Sequence, residues 1–131
     1  MATFEEETYR IAVMLDAQRA EEVRAEKVIG PLLKEAVALI EDLARGSDYI
    51  DVYPMDRSDK TQVIAVNIMG FGVLSITLRA NVGGLSLKPE TQSPFELGDN
   101  SERMVEVDKL DIGWMQMTLA SILSSVSKIE N

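Results

Sequence analysis

The chain contains no histidine and no cysteine. Histidine is the side chain that titrates nearest neutrality, and the cysteine thiolate is the soft nucleophile and soft metal ligand of proteins. Their absence closes Ser-His-Asp and Cys-His catalysis, Cys/His zinc sites, histidine-ligated haem, disulfides and thiol redox chemistry. Aromatic residues make up only 5% of the sequence, so the core must be built from Leu, Ile, Val, Ala and Met. No apolar run approaches the ~20 residues that span a bilayer. The first residues, Met1-Ala2-Thr3-Phe4-Glu5-Glu6-Glu7, put acids where a signal peptide carries bases and an apolar stretch. With cysteine absent as well, the expected location is cytoplasmic.

What the chain does have is acid. In 131 residues, 22 acidic side chains face 13 basic ones, for a formal charge of −9. Nucleic-acid affinity comes mainly from Lys and Arg neutralising phosphates, so direct nucleic-acid binding is not expected. The same sign disfavours an anionic membrane surface. It suits a basic protein partner, or plain solubility. The length fits one domain spanning 1–131, with 46% hydrophobic residues to form its core.

An α+β domain is expected, with a helical segment over 3–46, a sheet over 48–110 and a C-terminal helix over 112–129. Thr3 and Glu6 have the spacing of a capping box, and Ile11, Met14 and Leu15 come next at helical spacing. From Asp16 to Lys27 charge dominates, leaving Ala17, Ala20 and Val23 as a thin small-residue stripe suited to one neighbouring helix. Gly30-Pro31 predicts a break, with Pro31 in the first turn of a second helix. That helix carries Leu33, Ala36, Val37, Ile40, Leu43 and Ala44 on one wide apolar face, and Gly46 predicts a left-handed stop. Two N-terminal helices are therefore expected.

Beyond Asp48 the apolar period becomes two. Ile50 and Val52, then Ile64, Val66 and Ile68, then Leu74, Ile76 and Leu78 mark three strands, the last two joined through Gly70-Phe71-Gly72. Asn81-Val82-Gly83-Gly84 predicts the next turn, before a strand at Leu85 and Leu87. Met104 to Asp108 predicts a fifth strand. The expected sheet is an antiparallel four- to five-stranded meander with one apolar face. Its other face mixes Tyr53, Val63, Ala65, Met69 and Thr77 with Asn67, Ser75 and Arg79; either a helix covers it or it is a dimer or ligand surface. Met115, Leu119, Ile122, Val126 and Ile129 give the last helix an amphipathic stripe.

Candidate chemistry is sparse. Asp48/Asp51, Asp56/Asp59 and Asp108/Asp111 are Asp-x-x-Asp pairs of the kind that could hold Mg²⁺ or divide acid and base roles. Each falls at a strand end or turn, where aspartate is favoured by the backbone. Ser125 and Lys128 have Ser-x-x-Lys spacing, but at the end of the chain and without companion motifs. The glycine pairs lead into no helix, so they are hairpin turns rather than phosphate loops. Trp114, beside Met115 and Met117, reads as an end of the core before it reads as a partner anchor. No catalytic residue, metal ligand or cofactor is assigned.

The most asymmetric segment is Glu90–Asp111, with seven acidic residues against two basic ones, a local charge of −5. Its first half, Lys88–Arg103, holds Pro89, Pro94 and Gly98 and reads as a long loop, a length that is usually functional or disordered. Phe95 and Leu97 within it either pin the loop to the domain or form an apolar anchor inside an acidic rim. Size, acidity, meander and terminal helices resemble those of small secretion chaperones and of small phage-type inhibitors.

The function expected from these features is a non-catalytic acidic module that binds a protein partner through Phe95, Glu96, Leu97, Asp99 and Glu102. Homodimerisation through Ala17, Ala20 and Val23 is expected with it. The alternatives are an acidic inhibitor that mimics nucleic acid on a basic protein, and a carboxylate- or Mg²⁺-dependent enzyme.

Overall fold

Residues 2–129 are described by the computed structural model. They form an α+β fold: a long helix α1 (Phe4–Arg45), strands β1 (Ile50–Arg57), β2 (Thr61–Ile68), β3 (Phe71–Ala80), β4 (Gly84–Thr91), β5 (Phe95–Leu97) and β6 (Arg103–Glu106), helix α2 (Ile112–Ser124) and a short β7 (Val126–Lys128). The main sheet is antiparallel in the order β1-β2-β3-β4-β6, while β5 and β7 make a separate two-stranded ladder.

The expected break at Gly30-Pro31 does not occur; α1 is one helix of 42 residues with Pro31 inside it, about 63 Å long. Proline disfavours helix in the residue before it partly by striking that residue's Cβ. Gly30 has none, so this component of the penalty vanishes. The lost hydrogen bond is offset by burial on both sides of the proline, where Ile29, Leu32, Leu33, Ala36 and Ile40 all enter the core. Thr3 caps the helix as expected, its Oγ1 accepting from the Glu6 N–H at 3.2 Å. At the other end Gly46 has φ −77°, so the stop is not left-handed; Gly46 and Ser47 N–H groups instead donate to the carbonyls of Leu43 and Ala44.

The sheet alternates as its period predicts. Ile64, Val66, Leu74, Ile76, Leu78, Leu85, Leu87 and Val105 are buried on one face and join the buried half of α1 with Met115 and Ile122 of α2 in one core cluster. The β2–β3 turn is tighter than Gly70-Phe71-Gly72 suggested. Met69 and Gly70 alone make it, at φ 52° and 81°, as a two-residue hairpin of this twist requires, and Phe71 is already paired with Ile68. At the β3–β4 turn, Asn81 Oδ1 accepts from the N–H groups of Gly83 and Gly84 at 2.9 and 2.8 Å. Gly84 is required for a separate reason: a Cβ there would sit 2.2 Å from the Val105 carbonyl oxygen, so β4 and β6 could not approach.

The outer face carries Asp51 paired with Asn67, Tyr53 with Ala65, Ala65 with Ser75, Val63 with Thr77 and Thr61 with Arg79, and none belongs to the core cluster. Both helices contribute their buried residues to the opposite face, so neither covers it.

Two further expectations are corrected. Lys88–Arg103 is not one long loop, because β4 continues to Thr91 and β5 begins at Phe95. The final helix stops at Ser124, where the Ser124 and Ser125 hydroxyls donate back to the carbonyls of Ser121 and Ile122. Such serine contacts compete with helix continuation, and the next residues pair with β5: Phe95 with Lys128, Glu96 with Ser127 and Leu97 with Val126.

Candidate functional site

An apolar groove lies over the sheet between the C-terminal end of α1 and α2. Ile40, Leu43 and Ala44 form one wall, Leu119, Ala120 and Leu123 the other, and Ile50, Val52, Val66, Ile68, Leu74 and Ile76 the floor. Its volume is ≈ 350 Å³, and no acidic or basic side chain lines it. Ser47, Tyr49 and Gln116 are its only lining residues with polar side chains, and Tyr49 is 67% exposed at its edge.

Local sequence explains the gap. α2 is held down by Met115, Thr118 and Ile122, all buried, one turn apart on a single face. Leu119 and Leu123 lie one position further round and are only half-buried. Their facing partners on α1, Leu43 and Ala44, are likewise half-buried. The start of α2 is fixed by Asp111, whose Oδ1 accepts from the Trp114 N–H at 2.8 Å. Trp114 itself packs against the core cluster, whereas Met117 is 74% exposed. The resulting groove can take apolar groups by burial alone, with almost nothing to orient a polar one.

The residues expected to bind a partner are arranged differently. Phe95 and Leu97 are half-buried against the core cluster, held by the β5–β7 ladder. Glu96 between them points the other way and is exposed, with the Ser127 hydroxyl 3.5 Å from its carboxylate. Asp99 accepts from the Ser101 hydroxyl at 2.6 Å and the Ser101 N–H at 3.0 Å. These two hydrogen bonds, helped by the Arg103 guanidinium 3.4 Å away, hold its carboxyl below the usual aspartate range against a small opposing desolvation. Arg103 in turn donates to the Ser101 and Asp99 carbonyls. Glu102 is exposed. The loop is thus internally braced, its apolar side chains turned inward and its acids outward.

Ala17, Ala20 and Val23 are all exposed on the N-terminal half of α1, where every described residue up to Arg24 is exposed. The three Asp pairs are exposed too, and they lie apart. Asp48 and Asp51 flank the start of β1, Asp56 and Asp59 the β1–β2 turn, and Asp108 and Asp111 the approach to α2. Among the described residues no three acidic side chains converge as a metal-ligand cluster. Ser125 caps α2 and Lys128 lies in β7, so they do not share a helix face. No described helix is long and apolar enough to cross a membrane.

The groove was missed in the sequence. Its residues read as ordinary core positions, and only the placement of α1 and α2 over the sheet leaves them partly uncovered. Comparison with known proteins returns no matching family model, curated protein or solved structure.

Proposed function

We propose that this protein is a non-catalytic protein-binding module, and that the groove between α1 and α2 receives an apolar segment of its protein partner. The observation that carries this reading is the groove's lining: apolar on both walls and the floor, open to solvent, and without a charged side chain. Such a surface has affinity for Leu, Ile, Val or Phe side chains through area removed from water, at roughly 25 cal/mol per Å². Its two hydroxyls, of Ser47 and Tyr49, have no carboxylate or basic side chain among the lining residues to activate them. Exposed Asp42 and Asp48 adjoin lining residues in the chain, so a segment with basic residues beside its apolar ones is favoured, consistent with the overall charge of −9.

Leu123→Asp tests this. Leu123 is half-buried at the groove wall, so the variant should retain its fold by circular dichroism while placing a charge where the apolar segment must lie. In affinity capture from the native host, the wild type should retain a protein that resists high salt, and the variant should lose it. Equal retention by both would refute the groove as the contact. Capture of a salt-labile basic protein by wild type and variant alike would favour the nucleic-acid-mimic reading through the acidic loop.

A further inference from the structure

Strand β1 is an edge of the main sheet, paired on one side only, with β2. That pairing fixes which way each of its backbone groups points. The Tyr49 carbonyl accepts from the Met69 N–H at 2.8 Å, and Ile50 lies opposite Ile68. Backbone groups alternate sides along an antiparallel strand, so Tyr49, Asp51 and Tyr53 turn theirs to β2. Ile50, Val52 and Pro54 turn theirs away from the sheet. Pro54 fits such a position because it has no N–H to leave unpaired at an edge.

The two halves of this edge differ. Beyond Pro54 the strand bulges, with a register shift between Pro54 and Arg57. Buried Gln62 holds the bulge, its Nε2 donating to the carbonyls of Met55 and Asp56 at 3.3 and 3.4 Å. A proline and a bulge are devices that stop an edge from pairing. Ile50–Tyr53 has neither. Among the described residues, the outward N–H and C=O groups of Ile50 and Val52 take part in no hydrogen bond.

The side chains of the same two residues form part of the groove floor. A strand added beside them would continue that floor outward by one strand spacing, ~4.8 Å. On the other face its neighbours would be Asp51 and Tyr53, both exposed, with exposed Asp48 just before β1. An acid and an aromatic ring two residues apart on one face favour Lys or Arg opposite them, through an ion pair and the ring face. They also disfavour a second copy of β1. The antiparallel register that pairs Ile50 with Val52 in both copies sets Asp51 against Asp51, and like charges directly opposite are destabilising.

We infer that the open edge of β1 at Ile50–Tyr53 receives, as an added β-strand, an extended segment of another protein in which apolar and basic residues alternate. The inference rests on the protein-binding reading of the adjoining groove, and it gives that partner a backbone conformation and a residue pattern. Main-chain hydrogen bonds to Ile50 and Val52 hold the segment, its apolar side chains lie on the groove side, and its basic ones face Asp51.

The probe is a synthetic peptide of alternating valine and lysine, with a block-order peptide of the same composition as its control. The alternating peptide should slow amide hydrogen exchange at Ile50 and Val52 about tenfold or more, and the control should not. Val52→Pro removes an N–H that β2 does not use, and should weaken binding about tenfold. Val52→Ala keeps that N–H and should weaken it less than about threefold. Asp51→Lys should weaken it about fivefold, whereas Asp16→Lys, the same change of charge on the exposed half of α1, should leave it unaltered. No binding at millimolar peptide, or unchanged exchange at Ile50 and Val52 in the saturated wild type, would overturn the added strand whatever the variants do. Leu123→Asp separates this inference from the groove. If it loses the peptide while Val52→Pro keeps it, the groove stands and the added strand is overturned. If Val52→Pro loses the peptide while Leu123→Asp keeps it, the added strand stands and the groove fails.

Discussion

The two halves of α1 are continuous in backbone and opposite in circumstance. Residues 29–45 carry five charged side chains and one wide apolar face, and five residues from Ile29 to Ile40 are buried. Residues 4–28 carry eleven charged side chains and bury none. Their apolar residues also point in several directions: Tyr9 and Val13 lie nearly opposite Ile11 and Leu15 on the helix. The contrast teaches that helix formation and helix burial are separate properties. Favourable caps, i,i+3 pairs and good helix formers extend the backbone geometry well past the point where a core supports it. A strong one-sided stripe is what decides which half docks.

The largest expected difference between the halves is in core substitution. Ile40→Ala should cost about 2–5 kcal/mol of stability, since a 1%-exposed side chain leaves a cavity. Met14→Ala, measured by urea unfolding at dilutions where chains are single, should change stability by less than about 0.5 kcal/mol. Similar losses at both sites would abolish the distinction. Next comes the junction. Pro31→Ala restores an N–H that can donate to the Lys27 carbonyl, and should stabilise the chain by about 1–2 kcal/mol after the unfolded-state entropy that proline removes is deducted. Hydrogen exchange at residues 27–32 should slow in parallel; a loss of stability instead would mean that packing around Ile29 depends on the proline.

The smallest effect belongs to the body alone. Because hydrogen bonds from Ser101 lower the Asp99 carboxyl in the folded state, its contribution is present above the unfolded value of about 3.9 and is lost as pH falls through the folded one. Asp99→Asn should therefore flatten the acid limb of stability slightly and leave hydrogen exchange in residues 4–24 unchanged. NMR titration of the Asp99 carboxyl at an ordinary value would remove the basis for this expectation.

Much of the fold was legible from residue order. Alternation placed Ile64, Val66, Leu74, Ile76, Leu78 and Leu87 on one buried face, and Thr3 capped the first helix. The single long helix was not legible, because Gly30-Pro31 is a stop signal in isolation and only the burial of Ile29, Leu32 and Leu33 outweighs it. Nor was the β5–β7 ladder: three-residue strands have too few alternations to reveal a period, and each exists only because the other is adjacent. The same ladder turns Phe95 and Leu97 inward, a choice between inward and outward that one strand's sequence leaves open.

By itself, then, the sequence determined the secondary-structure periods, the core-facing residues and the chemistry that the chain lacks. These depend on local geometry and on side-chain identity, which need no distant neighbour. The tertiary structure alone decided the groove and the bare arm. Both arise from where a helix ends relative to what it packs against: α1 outruns its buried contacts at one end, and at the other it and α2 leave the sheet between them partly uncovered. Such positions depend on the placement of residues some 80 apart in the chain, such as Leu43 and Leu123 on opposite walls of the groove, and no local pattern encodes them.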